Sequence, residues 1–156
     1  MITLIWAQTK KHIMGNNNQL PWKIVDEMKH FKQETLNKPV LMGRKTWDAL
    51  HIQPLPKRKN IILTHQNPSN FPPQVEVITN LDAFLEQYEN QKEELMVIGG
   101  REVFDQTIKK ANKLVVSIID QDYPGDVYAP EIDPTIWRVA ETKTYPEFSV
   151  ATFLRI

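Results

Sequence analysis

The 156-residue sequence contains no cysteine, which excludes disulfide frameworks, thiolate metal sites and cysteine nucleophiles. Nineteen basic residues balance nineteen acidic ones, so the whole chain has no electrostatic attraction to nucleic acid or to a membrane surface. No apolar run approaches the length of a membrane span. These absences predict a cytoplasmic protein that has no metal site and binds neither nucleic acid nor membrane.

Glycine is also scarce, with five in the chain, and the common dinucleotide fingerprint G-x-G-x-x-G is absent. Two apolar runs nevertheless end in glycine directly before a helical pattern, at Gly43 before Arg44 and at Gly99-Gly100 before Arg101. Such strand–glycine–helix junctions expose free amide groups that favour phosphate. A tight turn without a ligand is the alternative for one junction, but two junctions together favour phosphate binding.

The order of patterns predicts the fold class. Short apolar runs indicate strands at residues 2–7, 39–42, 60–64, 75–78, 95–98 and 113–119, and helical periods fall at residues 24–36, 44–50, 81–91 and 101–110. This alternation predicts a three-layer α/β/α domain with a mainly parallel sheet. Residues 137–142 and 150–156 are joined by a short turn, which predicts an antiparallel C-terminal hairpin and hence a mixed sheet. The length suits one domain, residues 1–156.

One carboxylate stands out in the first predicted helix. A mainly apolar stripe contains Ile24, Glu27, Met28, Phe31 and Thr35. The opposite side carries Asp26, Lys29, His30 and Gln33. Burial of Glu27 would raise its pKa towards neutrality, where a proton donor is useful. The alternative, that Glu27 lies at the edge of the stripe and reaches solvent, is left open by the helix alone.

The end of the strand at residues 60–63 bears on cofactor choice. In the common dinucleotide fold a carboxylate on the ribose selects NAD, whereas an arginine accommodates the 2′-phosphate of NADP. Here Thr64-His65 follow the strand without a carboxylate, and Arg44 supplies a cation. The pattern therefore favours NADP, although His65 taken alone is more often an exposed loop histidine.

A series of motifs runs in order along the chain: Leu20-Pro21-Trp22, Glu27, Phe31-Lys32, residues 35–44, Thr46-Trp47, Pro54-Leu55-Pro56, Arg58-Lys59-Asn60, Met96-Val97-Ile98-Gly99-Gly100, Ile119-Asp120 and Gly125-Asp126. In this order and spacing they resemble the dihydrofolate reductase family, over essentially the whole chain. Trp6-Ala7-Gln8 and Thr64-His65 are similar to its lactic-acid-bacterial branch.

The resemblance implies an NADPH-dependent reduction of 7,8-dihydrofolate to 5,6,7,8-tetrahydrofolate in one-carbon metabolism. Hydride would pass from C4 of the nicotinamide to C6 of the pterin while N5 gains a proton. It further implies that Glu27, Trp22 and Ser117 are the catalytic residues. Glu27 would hold the 2-amino group and N3 of the pterin and promote protonation of N5 through water, and the Ser117 hydroxyl would support that network. A monomer and inhibition by diaminopyrimidine or pteridine antifolates are also expected.

The resemblance carries over two sets of binding residues. Those expected to bind substrate are Ile5, Ala7, Glu27, Met28, Phe31, Leu50, Leu55, Arg58, Ile98 and Ser117. Those expected to bind NADPH are Ala7, Met14, Gly15, Asn18, Leu20, Gly43, Arg44, Lys45, Thr46, Thr64, His65, Ile98, Gly99, Gly100, Val103 and Phe104. Arg58 would bind the α-carboxylate of the glutamate tail through two parallel hydrogen bonds. The resemblance also implies a cis peptide between Gly99 and Gly100 and a lid at residues 10–22 over the nicotinamide.

This chain departs from the family pattern at three places. Phe104 stands where some members have tyrosine, Glu27 is Glu and not Asp, and Arg101-Glu102 follow the glycine pair where many members have smaller or differently charged residues. Glu102 would oppose a nearby 2′-phosphate. Two rival hypotheses are a reductase of a pyrimidine intermediate in riboflavin synthesis and a non-catalytic NADP-binding or protein-interaction module. Neither needs the combination of Glu27 and Arg58.

Overall fold

The computed structural model describes residues 1–17 and 19–156. The strands are β1 (Ile2–Thr9), β2 (Ile13–Gly15), β3 (Val40–Gly43), β4 (Asn60–Leu63), β5 (Glu76–Ile78), β6 (Leu95–Gly99), β7 (Lys113–Ile119), β8 (Val127–Tyr128), β9 (Trp137–Thr144) and β10 (Phe148–Arg155). The helices are α1 (Val25–Thr35), α2 (Arg44–Ala49), α3 (Leu81–Glu86) and α4 (Arg101–Thr107), with short 3-10 turns at Pro68–Asn70 and Ile108–Lys110. No helix in these described ranges is long and apolar enough to cross a membrane.

The central sheet has eight strands in the order β5-β4-β3-β6-β1-β7-β10-β9. Pairing is parallel from β5 to β7, whereas β10 runs antiparallel to both β7 and β9. The predicted mixed sheet with an antiparallel C-terminal hairpin is therefore confirmed. β2 and β8 form a separate two-stranded antiparallel sheet that sequence analysis missed, because two such short segments carry too little periodic signal.

Each face of the sheet is covered by a hydrophobic core, which explains why the inner strands are continuous apolar runs. Alternate side chains of β1 divide between the two faces. Ile2, Leu4 and Trp6 pack with α3 and α4, whereas Ile5 and Ala7 lie in a second cluster with Trp47 of α2. The half-buried Phe31 of α1 packs against this second cluster. The three-layer prediction is thus confirmed.

The prediction that one side of α1 faces solvent was wrong at one residue, His30. His30 was expected to lie with Asp26 in solvent, but it is 8% exposed and buried. Its ring lies against Tyr145 and Phe148, with centroids 6.3 and 6.5 Å away. These aromatic residues belong to the C-terminal hairpin, so a contact between distant parts of the chain overrides the local helical pattern. Within the apolar stripe, Met28 is exposed because it borders an open cleft.

Two predicted helices end earlier than expected. The pattern at residues 81–91 gives a helix only to Glu86, and the pattern at residues 101–110 continues beyond Thr107 as a 3-10 turn. The Thr107 hydroxyl donates a hydrogen bond to the Val103 carbonyl oxygen (2.8 Å). Such hydrogen bonding from a threonine side chain to the preceding turn is common near helix ends. It cannot be predicted from hydrophobic periodicity alone.

Candidate active site

A cleft of about 1940 Å³ opens at the carboxyl ends of the parallel strands and brings most of the predicted site residues together. Such strand ends are where open α/β sheets bind their ligands. Every residue predicted to bind substrate lines this cleft except Ser117. All those predicted to bind cofactor line it as well, apart from Asn18, which lies outside the described residues. The roles assigned to these residues stay predictions; the structure shows their proximity.

Glu27 lies in the cleft wall on the buried side of α1. The side chain is 7% exposed, whereas the neighbouring Asp26 is exposed to solvent. The structure therefore contradicts the alternative in which Glu27 reaches solvent. Desolvation raises the pKa of the Glu27 carboxyl, and the positive charge of His30 opposes that shift. A buried carboxyl with a raised pKa can exchange a proton closer to neutral pH than an ordinary glutamate.

Trp22 presents a second unusual polar group in the same wall. Its side chain is 5% exposed, and the indole Nε1 has no hydrogen-bond partner among the described residues. The ring is fixed against Tyr123, with centroids 5.9 Å apart. Because buried N–H groups are nearly always paired, this donor is suited to a polar ligand.

Ser117 is buried and does not line the cleft. It is 2% exposed in β7, and its register partner is Ala7 of β1, a residue that lines the cleft. Register partners in adjacent strands share a face of the sheet. Ser117 is therefore on the face that bears the site, and its proposed support of a proton network stays a prediction.

Arg58 lines the cleft and is held by two contacts. Its Nη1 donates to the Thr35 hydroxyl (3.0 Å), and its Nε donates to the Pro56 carbonyl oxygen (2.9 Å). Partial burial lowers the pKa of its guanidinium, and no carboxylate in the described ranges lies within ion-pair distance. A partly desolvated guanidinium without an anionic partner is suited to a ligand carboxylate.

Asn60 shapes the loop that carries Arg58, a role that sequence analysis missed. Its side-chain Oδ1 accepts from the Leu55 amide (2.9 Å), and its Nδ2 donates to the carbonyl oxygens of Leu55 and Arg58 (3.0 and 2.9 Å). One buried amide side chain thus closes the loop between two predicted substrate-binding residues. An asparagine at the start of an apolar strand, where a hydrophobic residue is the norm, was the available signal.

The two glycine junctions lie side by side in the cleft. The Gly99-Gly100 peptide is cis, as the resemblance implies, and Gly99 has a φ of +128°. A Cβ there would lie 3.4 Å from the Thr46 hydroxyl oxygen and 3.5 Å from the Phe104 ring. Neither α2 nor α4 receives a side-chain cap at its first residue, so amides of both turns are left for a ligand.

Charged and polar side chains flank these junctions. Arg44 pairs with Asp48 one turn along α2 (3.3 Å). His65 is exposed, which is also expected of an ordinary loop histidine that binds no cofactor. Glu102 is exposed and lines the cleft, so the family departure places a carboxylate at the ligand-facing surface.

Arg101 is a further cleft residue with a structural role that was not foreseen. Its Nε donates to Asp105 (2.9 Å), and its Nη1 donates to the Tyr128 carbonyl oxygen (2.9 Å). Tyr128 belongs to β8, which pairs with β2 inside the predicted lid segment. Arg101 therefore ties the start of α4 to the strand pair beside the lid.

The fold and the cleft define an α/β ligand-binding protein whose cleft is lined by a buried acid and by paired glycine turns. The family model for dihydrofolate reductase matches residues 1–153, and the chain belongs to the dihydrofolate reductase family. A dihydrofolate reductase of Mycoplasma genitalium is 36% identical over 154 residues, covering 96% of this chain and 95% of the relative. One from Neisseria gonorrhoeae is 37% identical over 140 residues, covering 90% and 85%.

Among solved structures, dihydrofolate reductase from Enterococcus faecalis, complexed with NADP(H) and RAB-propyl, superposes with a TM-score of 0.88. It is 28% identical, with 99% of this chain and 96% of that chain covered. The expected family and fold are confirmed, whereas the lactic-acid-bacterial branch stays a prediction.

Proposed function

We propose that this protein reduces 7,8-dihydrofolate to 5,6,7,8-tetrahydrofolate with NADPH. The observation that carries the proposal is the position of Glu27, buried in the wall of the same cleft that the two glycine junctions line. Membership of the dihydrofolate reductase family supports the choice of substrate. It also favours this reaction over the pyrimidine reductase and the non-catalytic module considered as rivals.

For the pterin, Glu27 is the proposed anchor. As a carboxylate it would accept hydrogen bonds from the 2-amino group and N3, and its raised pKa lets it exchange a proton closer to neutral pH than an ordinary glutamate. Through this contact it would promote protonation of N5, with the buried Trp22 indole and the Ser117 hydroxyl supporting the network. Ile5, Phe31 and Leu50 would provide apolar walls that exclude water from the ring.

The residues at the glycine junctions fit NADPH. The neighbour from Enterococcus faecalis is complexed with NADP(H), and this chain offers the same fold with amides of two glycine turns lining the cleft. When bound, the cofactor supplies hydride from C4 of its nicotinamide to C6 of the pterin. Gly43, Gly99 and Gly100 would allow close approach of the backbone to the pyrophosphate, and Arg44, Thr64 and His65 would contact the 2′-phosphate.

Arg58 is the proposed partner of the substrate's glutamate tail, and antifolates are proposed ligands of the same cleft. A protonated diaminopyrimidine or pteridine ring would pair with the Glu27 carboxylate.

We also propose that the chain is one domain over residues 1–156 and acts as a cytoplasmic monomer. Light scattering coupled to size-exclusion chromatography tests the monomer.

The direct test is oxidation of NADPH, followed by the loss of reduced-nicotinamide absorbance, with and without dihydrofolate. We expect oxidation only when dihydrofolate is present and formation of tetrahydrofolate in equal amount. Binding of NADPH without any turnover would instead support the non-catalytic module. Turnover of a ribosylated pyrimidine, with none of dihydrofolate, would support the riboflavin-pathway rival.

A further inference from the structure

A buried glutamine amide joins the end of β1 to the turn that leads into β2. The Gln8 side chain is 7% exposed and lies on the same face of β1 as Trp6, two residues earlier. The Trp6 indole Nε1 donates to Gln8 Oε1 (2.9 Å), and Gln8 Nε2 lies 3.1 Å from His12 Nδ1. Gln8 Nε2 also donates to the Thr9 carbonyl oxygen at 3.4 Å. These bonds offset the desolvation of an amide that a strand rarely buries.

The chemistry of the three groups fixes how they are oriented. An indole N–H can only donate, so the atom of Gln8 that faces Trp6 is the amide oxygen. The amide nitrogen then faces His12, and because it too can only donate, Nδ1 of the ring accepts. The proton of the neutral His12 ring is therefore carried by Nε2. The hydrogen-bond network thus determines both the amide orientation and the histidine tautomer.

One end of this network reaches the wall of the cleft. Trp6 is 5% exposed and lines the cleft, and its ring packs on Phe104 with centroids 5.3 Å apart. Phe104 in turn lies against the cis glycine turn, because a Cβ on Gly99 would be 3.5 Å from its ring. Gln8 therefore holds the indole that supports the aromatic ring beside this turn.

The other end of the network reaches β2. His12 lies directly before this strand with a φ of 71°, and its carbonyl oxygen accepts from the Ala129 amide (2.8 Å). Met14 and Gly15 of β2 line the cleft, and Met14 belongs to the same hydrophobic cluster as Trp6. A bond that holds the His12 ring therefore also fixes where β2 enters the cleft.

We propose that Gln8 is a positioning residue for NADPH, whose amide sets the distance between the Trp6–Phe104 ring pair and β2. The identity of the cofactor rests on the proposed function. Gln8 does not line the cleft, so its effect passes through Trp6 and His12. A site already held in its binding geometry loses less conformational freedom when the ligand binds, which raises affinity.

The first test determines the orientation of the network in the protein without ligands. Two-bond nitrogen–proton NMR spectra at about pH 9, where histidine rings are neutral, distinguish the two tautomers. We expect His12 to be entirely in the Nε2–H tautomer. In Trp6→Phe the indole donor is lost and the amide can turn its oxygen towards the ring, so we expect both tautomers. A mixture in the wild-type protein, or a pure Nε2–H tautomer in Trp6→Phe, would overturn the proposal.

The second test measures the affinity for NADPH in Gln8→Leu. Quenching of tryptophan fluorescence gives the Kd for NADPH, and steady-state kinetics gives the KM for dihydrofolate. We expect the Kd for NADPH to rise about fivefold, the effect of one hydrogen bond, with the KM for dihydrofolate unchanged. Gln33→Leu makes the same change at an exposed position of α1 outside the cleft lining and should alter neither constant.

An unchanged Kd for NADPH in a folded Gln8→Leu protein would overturn the positioning role. An equal rise in the Kd for NADPH and the KM for dihydrofolate would also overturn it, because a general loss of packing affects both ligands. Failure of the wild-type protein to bind NADPH would instead contradict the proposed function. The NMR measurement on the wild-type protein needs neither ligand nor turnover, and it decides the network even if Gln8→Leu does not fold.

Discussion

The Thr35 hydroxyl accepts a hydrogen bond from Arg58 Nη1 over 3.0 Å and donates its own proton to the Phe31 carbonyl oxygen over 2.8 Å. A fully buried side chain at the end of α1 thus orients a guanidinium from the loop before β4. The contact explains why an apolar helical stripe ends in a threonine.

Replacing Arg58 with leucine should raise the KM for dihydrofolate with a smaller effect on kcat. The loss of a charge-assisted bond is worth about 1.5–3 kcal/mol, which corresponds to roughly a ten- to hundredfold increase. Thr35→Val should give a smaller increase of a few-fold, because the guanidinium remains but loses its orientation. Steady-state kinetics of Arg58→Leu, Thr35→Val and Arg58→Lys measures the KM for dihydrofolate. It checks that the KM rises more in Arg58→Leu than in Thr35→Val. A KM for dihydrofolate unchanged in Arg58→Leu would remove Arg58 from the substrate site.

Glu27→Gln should abolish most turnover near neutral pH and at the same time stabilise the fold. Burial raises the folded-state pKa of Glu27, so the stability contributed by this group is present at low pH and is lost as pH rises through that pKa. Above that pKa the native protein therefore carries an unfavourable buried charge that glutamine removes. Thermal unfolding at several pH values measures the gain, which should grow with pH.

Asp26→Asn is the matched control, because its carboxylate is exposed beside Glu27 on the same helix turn. It should change neither turnover nor the pH dependence of stability. A Glu27→Gln protein that is less stable than the wild type above neutral pH would contradict the buried-charge argument.

Much of this architecture could be predicted from local pattern, because buried parallel strands and amphipathic helices repeat their signal over several residues. In this way the helical period placed Glu27 and Asp26 on opposite sides of the predicted helix. Only the structure decided that Glu27 is buried. His30 could not be placed, since its burial depends on Tyr145 and Phe148, more than a hundred residues away.

The same limit applies within the site. Arg44 was expected near phosphate from its position after Gly43, and its pairing with Asp48 is local to α2, but the tie from Arg101 to β8 arises from side-chain geometry between distant segments. The pattern also cannot show that Asn60 closes the loop of Arg58 through three hydrogen bonds. Periodicity describes faces of elements, whereas hydrogen bonds between loops depend on the finished fold.

Cofactor selection should depend on Arg44. Arg44→Gln should raise the KM for NADPH by about tenfold and leave the KM for NADH unchanged, because only NADPH carries a 2′-phosphate. Asp48→Asn provides the comparison, since it removes the carboxylate that now pairs with Arg44 at 3.3 Å and should lower the KM for NADPH. An equal increase in the KM for NADPH and the KM for NADH in Arg44→Gln would indicate that Arg44 acts in folding or in pyrophosphate binding.

Glu94 does not line the cleft and should control acid stability. It accepts hydrogen bonds from Lys38 (2.7 Å) and Thr3 (2.5 Å), and Lys113 lies 3.1 Å away. Burial opposes its ionisation, but these three contacts outweigh burial and lower the pKa of Glu94 to about 2. Because the folded-state pKa lies below the unfolded value, the stabilisation is present above that unfolded value and is lost as pH falls towards 2.

Glu94→Gln should therefore lower the free energy of unfolding by about 2–3 kcal/mol at neutral pH, with a difference that shrinks towards pH 2. Urea unfolding across pH measures this dependence. Glu141→Gln is the control, because Glu141 is 59% exposed and its pairing with Lys143 spans 3.8 Å, so little change is expected. A constant difference at every pH would show that Glu94 stabilises the protein through packing and not through its charge, since only an ionised carboxylate gains from the two lysines.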